Sequence, residues 1–110
     1  MRVLYLGLAL LAGGCQHQMG PAVHPGLAFA QASCGGCHAV ERYPSSPNPD
    51  APPFAAIVNQ EGLTHATLAT WLRDAHNYPE EMEFSLDQAE VDQLVAYMLT
   101  LSDERYRPAI

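Results

Sequence analysis

Cys34-Gly35-Gly36-Cys37-His38 is the stretch whose residue types and spacing could carry chemistry. Two cysteines three apart face the same side of a helical turn, and an imidazole follows at once. C-x-x-C-H is the pattern of c-type haem attachment: the thiols form thioethers to the two vinyl groups along one porphyrin edge, and the histidine swings under the iron. The glycines between them let backbone approach the macrocycle closely. Three other chemistries use such pairs. A thioredoxin-like dithiol wants a βαβ context, which this sequence lacks. Zinc wants a second pair of ligands, whereas the remaining cysteine, Cys15, lies in the N-terminal segment. A disulfide suits an oxidising compartment but leaves His38 without a purpose. The motif predicts one haem c, bound through Cys34 and Cys37 with His38 on the iron.

The chain around this motif has 110 residues, 48% of them hydrophobic and 15% charged, with a mean hydropathy of −0.07. Those values fit a single globular domain better than a disordered or polytopic membrane protein. Twelve acidic residues face five arginines and no lysine, for a formal charge of −7 and a pI of about 4.9. Nucleic acid is excluded as a partner, because binding it needs clustered cations to displace phosphate counterions.

Met1 and Arg2 precede an apolar run from Val3 to Ala12. A bilayer needs about 20 such residues, so residues 1–14 read as a cleaved export signal. The run ends Leu11-Ala12-Gly13-Gly14-Cys15, which resembles the lipobox of bacterial lipoproteins and implies acylation of Cys15. Two or more acyl chains hold a protein stably on a membrane. The expected location is the periplasm, anchored by lipid. Residues 15–25 are polar, carry Gly20, Pro21 and Pro25, and read as a tether. Its histidines, His17 and His24, receive no role. Residues 26–101 form the domain and 102–110 a C-terminal tail.

Within the domain the clearest element is the last helix. Asp87 serves as N-cap with Glu90 three places on, and Val91, Leu94, Val95, Met98 and Leu101 make one apolar face. A preceding helix from Thr64 to about Ala75 places Leu68, Trp71, Leu72 and Ala75 on its buried face, with His65 exposed. Residues 41–53 contain Pro44, Pro47, Pro49, Pro52 and Pro53, and so cannot be regular helix. A short helix, Ala55 to Asn59, follows.

Over Gly26 to Leu101 the chain resembles the class I cytochrome c family in its small bacterial form. Gly26, eight residues before Cys34, stands where that family has a small residue at the crossing of its first and last helices. Leu27 to Ser33 matches the first helix, and Leu94-Val95-Ala96-Tyr97-Met98 the aromatic-bearing stretch of the last. Phe29 stands one place before the family's aromatic position, occupied here by Ala30, which predicts a looser crossing. The resemblance implies an all-α, cytochrome c-like bundle of about 3–5 helices wrapped around one covalent haem.

It also implies a methionine as second axial ligand. Met1 is cleaved, Met19 lies in the tether and Met98 on the apolar stripe. Met82, 44 residues after His38 in Asn77-Tyr78-Pro79-Glu80-Glu81-Met82-Glu83-Phe84-Ser85-Leu86, resembles the family's ligand loop, although Glu83 stands where proline is usual. His76 is the competing ligand. Ala51-Pro52-Pro53-Phe54 resembles the G-P-x-L stretch, in which the Pro52 carbonyl would orient the histidine and Phe54 would turn into the pocket. By the same resemblance the Trp71 indole reaches a haem propionate.

The function implied is one-electron transfer with redox partner proteins, as a free carrier or as the haem subunit of a larger redox complex. A haem enzyme or gas sensor with a displaceable sixth ligand is the alternative. Met/His ligation raises the reduction potential. Glu80, Glu81 and Glu83 oppose it by roughly 0.4–1.7 kcal/mol each at about 10 Å, so the ligand set wins and the potential is expected to be positive. These glutamates also predict an acidic rim facing a basic docking surface.

So small a domain buries too little surface alone. Porphyrin burial at about 25 cal/mol per Å² adds on the order of 10 kcal/mol at most. The cofactor is expected to be part of the core. Replacing both Cys34 and Cys37 by alanine should therefore leave a chain without a cooperative thermal transition, as followed by circular dichroism. A cooperative, unshifted melt would contradict this.

Overall fold

A computed structural model describes residues 24–74 and 80–108. The elements expected from residues 1–23, together with Ala75 and His76, lie outside them. The described residues form four α-helices and no strand: α1 (Pro25–Ser33), α2 (Phe54–Val58), α3 (His65–Asp74) and α4 (Gln88–Leu99), with a 3-10 turn at Glu80–Met82.

Helix α4 begins where its sequence dictates. The Asp87 carboxylate accepts the Glu90 backbone N–H at 2.8 Å, and the Glu90 carboxylate accepts that of Asp87 at 2.8 Å. This reciprocal box satisfies two donors that a helix start leaves orphaned. Val91, Leu94, Val95 and Met98 are at most 1% exposed, and Leu101 just beyond the helix is also buried. At the other end the Arg42 guanidinium donates to the Thr100 and Leu101 carbonyls at 2.8 and 3.2 Å, placing a cation where the helix dipole is negative.

Helix α1 starts at Pro25, two residues before the expected Leu27. Proline suits the first helical position, because its fixed φ is helical and no N–H is needed there. His24 caps it: the Gly26 N–H donates to His24 Nδ1 at 3.0 Å. This histidine was assigned no role from sequence, and its ring lies 5.6 Å from that of Tyr97. The crossing with α4 is tight. A Cβ on Gly26 would collide with the Gln93 carbonyl oxygen and lie 2.5 Å from Tyr97 Cβ. Ala30, one turn on, is fully buried, while Phe29 is half-buried against the core. Two small residues close the crossing that the displaced aromatic was expected to loosen.

Helix α3 is capped by Thr64 and Thr67, whose hydroxyls each accept the other's backbone N–H, at 3.2 and 2.9 Å. Leu68 and Leu72 are buried as expected, but Trp71 is 40% exposed. Its periodic position is consistent with a core residue; in the folded chain the ring instead lines a cleft described below. Helix α2 starts at Phe54, one residue early, and Asn59 is its C-cap. The Asn59 amide donates to the Ala55 and Leu101 carbonyls and accepts the Asp103 N–H at 2.8 Å. With the Arg42–Asp103 ion pair at 3.7 Å, this fastens the start of the expected tail to the domain.

α1, α2 and α3 each pack against α4, and none packs against another. Tyr97 ties this hub to the segment after the motif: its hydroxyl donates to the Val40 carbonyl at 2.6 Å. Burial, reinforced by Glu41 and opposed by Arg42, raises the Tyr97 pKa above its ordinary value.

Gly26→Ala should destabilise the protein by about 1–3 kcal/mol through overpacking, read as a lower denaturant midpoint; an unchanged midpoint would refute the close crossing. Tyr97 should also give alkaline sensitivity. A raised folded-state pKa means its contribution is complete below about pH 10, the unfolded value, and is lost as pH rises through the folded value. The stability difference between wild type and Tyr97→Phe should shrink above pH 10. A constant difference would show that the hydroxyl does not titrate in the fold.

Candidate haem-binding cleft

The motif continues α1 as a turn. Cys34 and Gly35 donate backbone N–H groups to the Ala30 carbonyl, and Cys37 and His38 donate theirs to the Cys34 carbonyl at 3.1 and 2.9 Å. This winding puts both thiols toward one cleft. Gly35 is required by its own turn, since a Cβ there would approach the Gln31 carbonyl oxygen to 2.7 Å, whereas Gly36 faces open space. The need for glycine on the protein side is therefore confined to Gly35.

His38 is 9% exposed. Its Nδ1 lies 2.7 Å from the Pro52 carbonyl oxygen. A carbonyl can only accept, so Nδ1 carries the proton and Nε2 keeps its lone pair for a metal. Such a bond also fixes the orientation of the ring. The Phe54 ring sits 5.6 Å from the imidazole. The proline-rich loop is pinned onto the motif to deliver this carbonyl: Asn48 N–H donates to Cys37 O, Ala39 N–H to Ser46 Oγ, and Phe54 N–H to Ala39 O, at 2.9–3.1 Å.

Met82 ends the 3-10 turn and is half-buried. The Phe84 N–H donates to the Met82 carbonyl at 2.9 Å, reversing the chain beside it. Cys34, Cys37, His38, Pro52, Phe54, Trp71 and Met82 all line one cavity of about 610 Å³. Ile57, Leu72, Phe84, Leu86, Leu94 and Met98 complete an apolar wall. These last six were not read from sequence as lining. Leu72, Leu94 and Met98 carried only a core signal, and Phe84 and Leu86 entered only as members of the loop around Met82. Asp50 and Glu81 are the carboxylates of the lining.

Burial raises the Cys34 thiol to about 11, and Cys34 sits at a helix C-terminus. A catalytic dithiol needs the reverse, a lowered pKa at a helix N-terminus or beside a cation. Among the described residues no three His, Cys, Asp or Glu side chains gather as a bare metal ion would require. The residues present fit a flat apolar body instead: two thiols for one edge, a tautomer-fixed imidazole, a thioether, and aliphatic and aromatic walls.

An all-helical fold with such a cleft defines a protein that binds haem c covalently. Residues 23–102 match the Cytochrome c family, more than half of the chain, and the protein belongs to that family. Its cofactor is haem c, with Cys34 and Cys37 at the attachment spacing, and it is a haem-binding electron-transfer protein. No curated protein and no solved structure matched the chain.

Proposed function

We propose that the protein is a periplasmic one-electron carrier whose haem iron is held between His38 Nε2 and the Met82 thioether. The observation that carries this reading is the convergence of His38, oriented by Pro52 at 2.7 Å, and Met82, from a separate segment, on one apolar cleft. Bound haem supplies reversible one-electron exchange. The chain's part would be to supply two ligands and keep water from the metal. His38 and Met82 would together hold the group and leave a substrate no place on it, so the reading favours outer-sphere transfer over an enzyme or sensor.

Three cleft residues have assigned tasks. Pro52 orients the imidazole, Phe54 packs on it, and Trp71, 40% exposed on the cleft lining, would offer its indole N–H to a propionate. The N-terminal signal-like segment and Cys15 support export and lipid anchoring. Among the described residues no helix is long and apolar enough to cross a membrane. Partners are other redox proteins of the same chain.

The oxidised protein should show the weak far-red band of sulfur-to-iron ligation. Met82→Ala should abolish it and lower the midpoint potential by on the order of 0.1 V, a fraction of the roughly 0.8 V that axial ligands span. His76→Ala should leave the band intact. High-spin features in the wild type, or loss of the band in His76→Ala alone, would refute the assignment.

A further inference from the structure

We propose that Asn59 and Arg42, neither of which lines the haem cleft, are positioning residues for His38: through one shared acceptor, the Leu101 carbonyl, they set the bond between the imidazole and Pro52. This rests on the reading of His38 as an iron ligand and adds to it what holds that ligand still.

Two stretches of chain meet at His38. Residues 38–42 carry the imidazole and end at Arg42, while residues 52–59 carry the accepting Pro52 carbonyl and end at Asn59. Near the ring the two are joined by the bond from Phe54 N–H to Ala39 O at 2.9 Å. One such bond is a pivot, about which the stretches can still turn. Their far ends are joined again: the Leu101 carbonyl accepts from Arg42 Nη1 and from Asn59 Nδ2, each at 3.2 Å. Two ties at separate points turn the pivot into a clamp.

The second tie is well specified. Asn59 Nδ2 also donates to the Ala55 carbonyl at 2.7 Å, and Oδ1 accepts the Asp103 N–H at 2.8 Å. Both ends of the amide are thus used, and its partners fix which way it points. Arg42 also donates to the Thr100 carbonyl at 2.8 Å and pairs with the Asp103 carboxylate at 3.7 Å.

The part between Pro52 and Asn59 cannot hold itself. α2 has five residues, far below the roughly 12 at which a helix is even marginally stable alone, so its placement comes from its ends and from its packing on α4. The Pro52 carbonyl must meet His38 Nδ1 within about 2.7–3.2 Å and close to in line. It does so at 2.7 Å, and a turn of α2 about Phe54 would spoil that fit. Residues 100–103, where the tail was expected to start, therefore take part in holding the ligand.

The test is hydrogen exchange of the ferrous holoprotein followed by NMR, its haem first verified by absorption. The readout is the exchange rate of the His38 Nδ1–H divided by that of the Leu94 amide in the core of α4, a ratio that general loss of stability leaves unchanged. Asn59→Ala should raise the ratio about tenfold, the factor that corresponds to about 1.4 kcal/mol, an ordinary net hydrogen-bond contribution. Arg42→Gln, at a more exposed position, should raise it in the same direction. Val91→Ala removes fully buried volume away from the cleft lining and should lower the denaturant midpoint without moving the ratio. An unchanged ratio in Asn59→Ala and Arg42→Gln, or an equal rise in Val91→Ala, would overturn the proposal. A wild-type His38 ring lacking the large upfield shifts of an iron-bound imidazole would sink the ligand reading and the clamp with it; a bound ring with an unchanged ratio sinks the clamp alone.

Discussion

α1, α2 and α3 all lean on α4, and the cleft among them is walled by core side chains that a bound haem would bury further. That constraint orders the rest of the structure. α4 supplies a fully buried stripe, and Leu94 and Met98 serve on that stripe and in the cleft wall together. The cleft is therefore a continuation of the core. Burial that holds the fold and burial that would hold the cofactor involve the same side chains, and stability and function cannot be tuned separately here.

The ligand geometry depends on loops rather than helices, and the loops are made firm by backbone hydrogen bonds. Proline restricts residues 41–53 to extended and turn conformations, while bonds from Asn48, Ala39 and Phe54 seat the loop against the motif. The Pro52 carbonyl reaches His38 because of that seating. On the far side of the domain, Arg42 and Asn59 clasp the end of α4 and the start of the tail through bonds spanning 42 to 59 residues of chain. A chain with so few regular elements uses such long-range polar ties in place of a second layer of packing.

Much of this was legible because it is local. The capping box and apolar period of α4, the proline-broken loop and the cysteine spacing are each determined within a few residues. Trp71 shows where that logic fails: a helical period identifies a face that meets something, and here it meets the cleft edge as well as the core. His24 was missed because capping by an imidazole depends on a tautomer and a nearby Tyr97 ring, neither of which spacing encodes. The Arg42 and Asn59 clasps were invisible for a different reason, since their partners are brought together only by the completed fold. Phe84 lies in between. The acidic loop was plain in the sequence, but the part of the cleft wall that Phe84 and Leu86 share with Ser33 exists only once α1 and residues 84–86 are side by side.

The account stands on thioether attachment of one haem to the turn that ends α1. Intact mass spectrometry of the protein matured in cells competent for such attachment, after denaturation in acidified organic solvent, tests it most directly. The account predicts a polypeptide heavier by one haem, with neither Cys34 nor Cys37 open to alkylation. A bare polypeptide mass, with both thiols alkylated or joined as a disulfide, would contradict it.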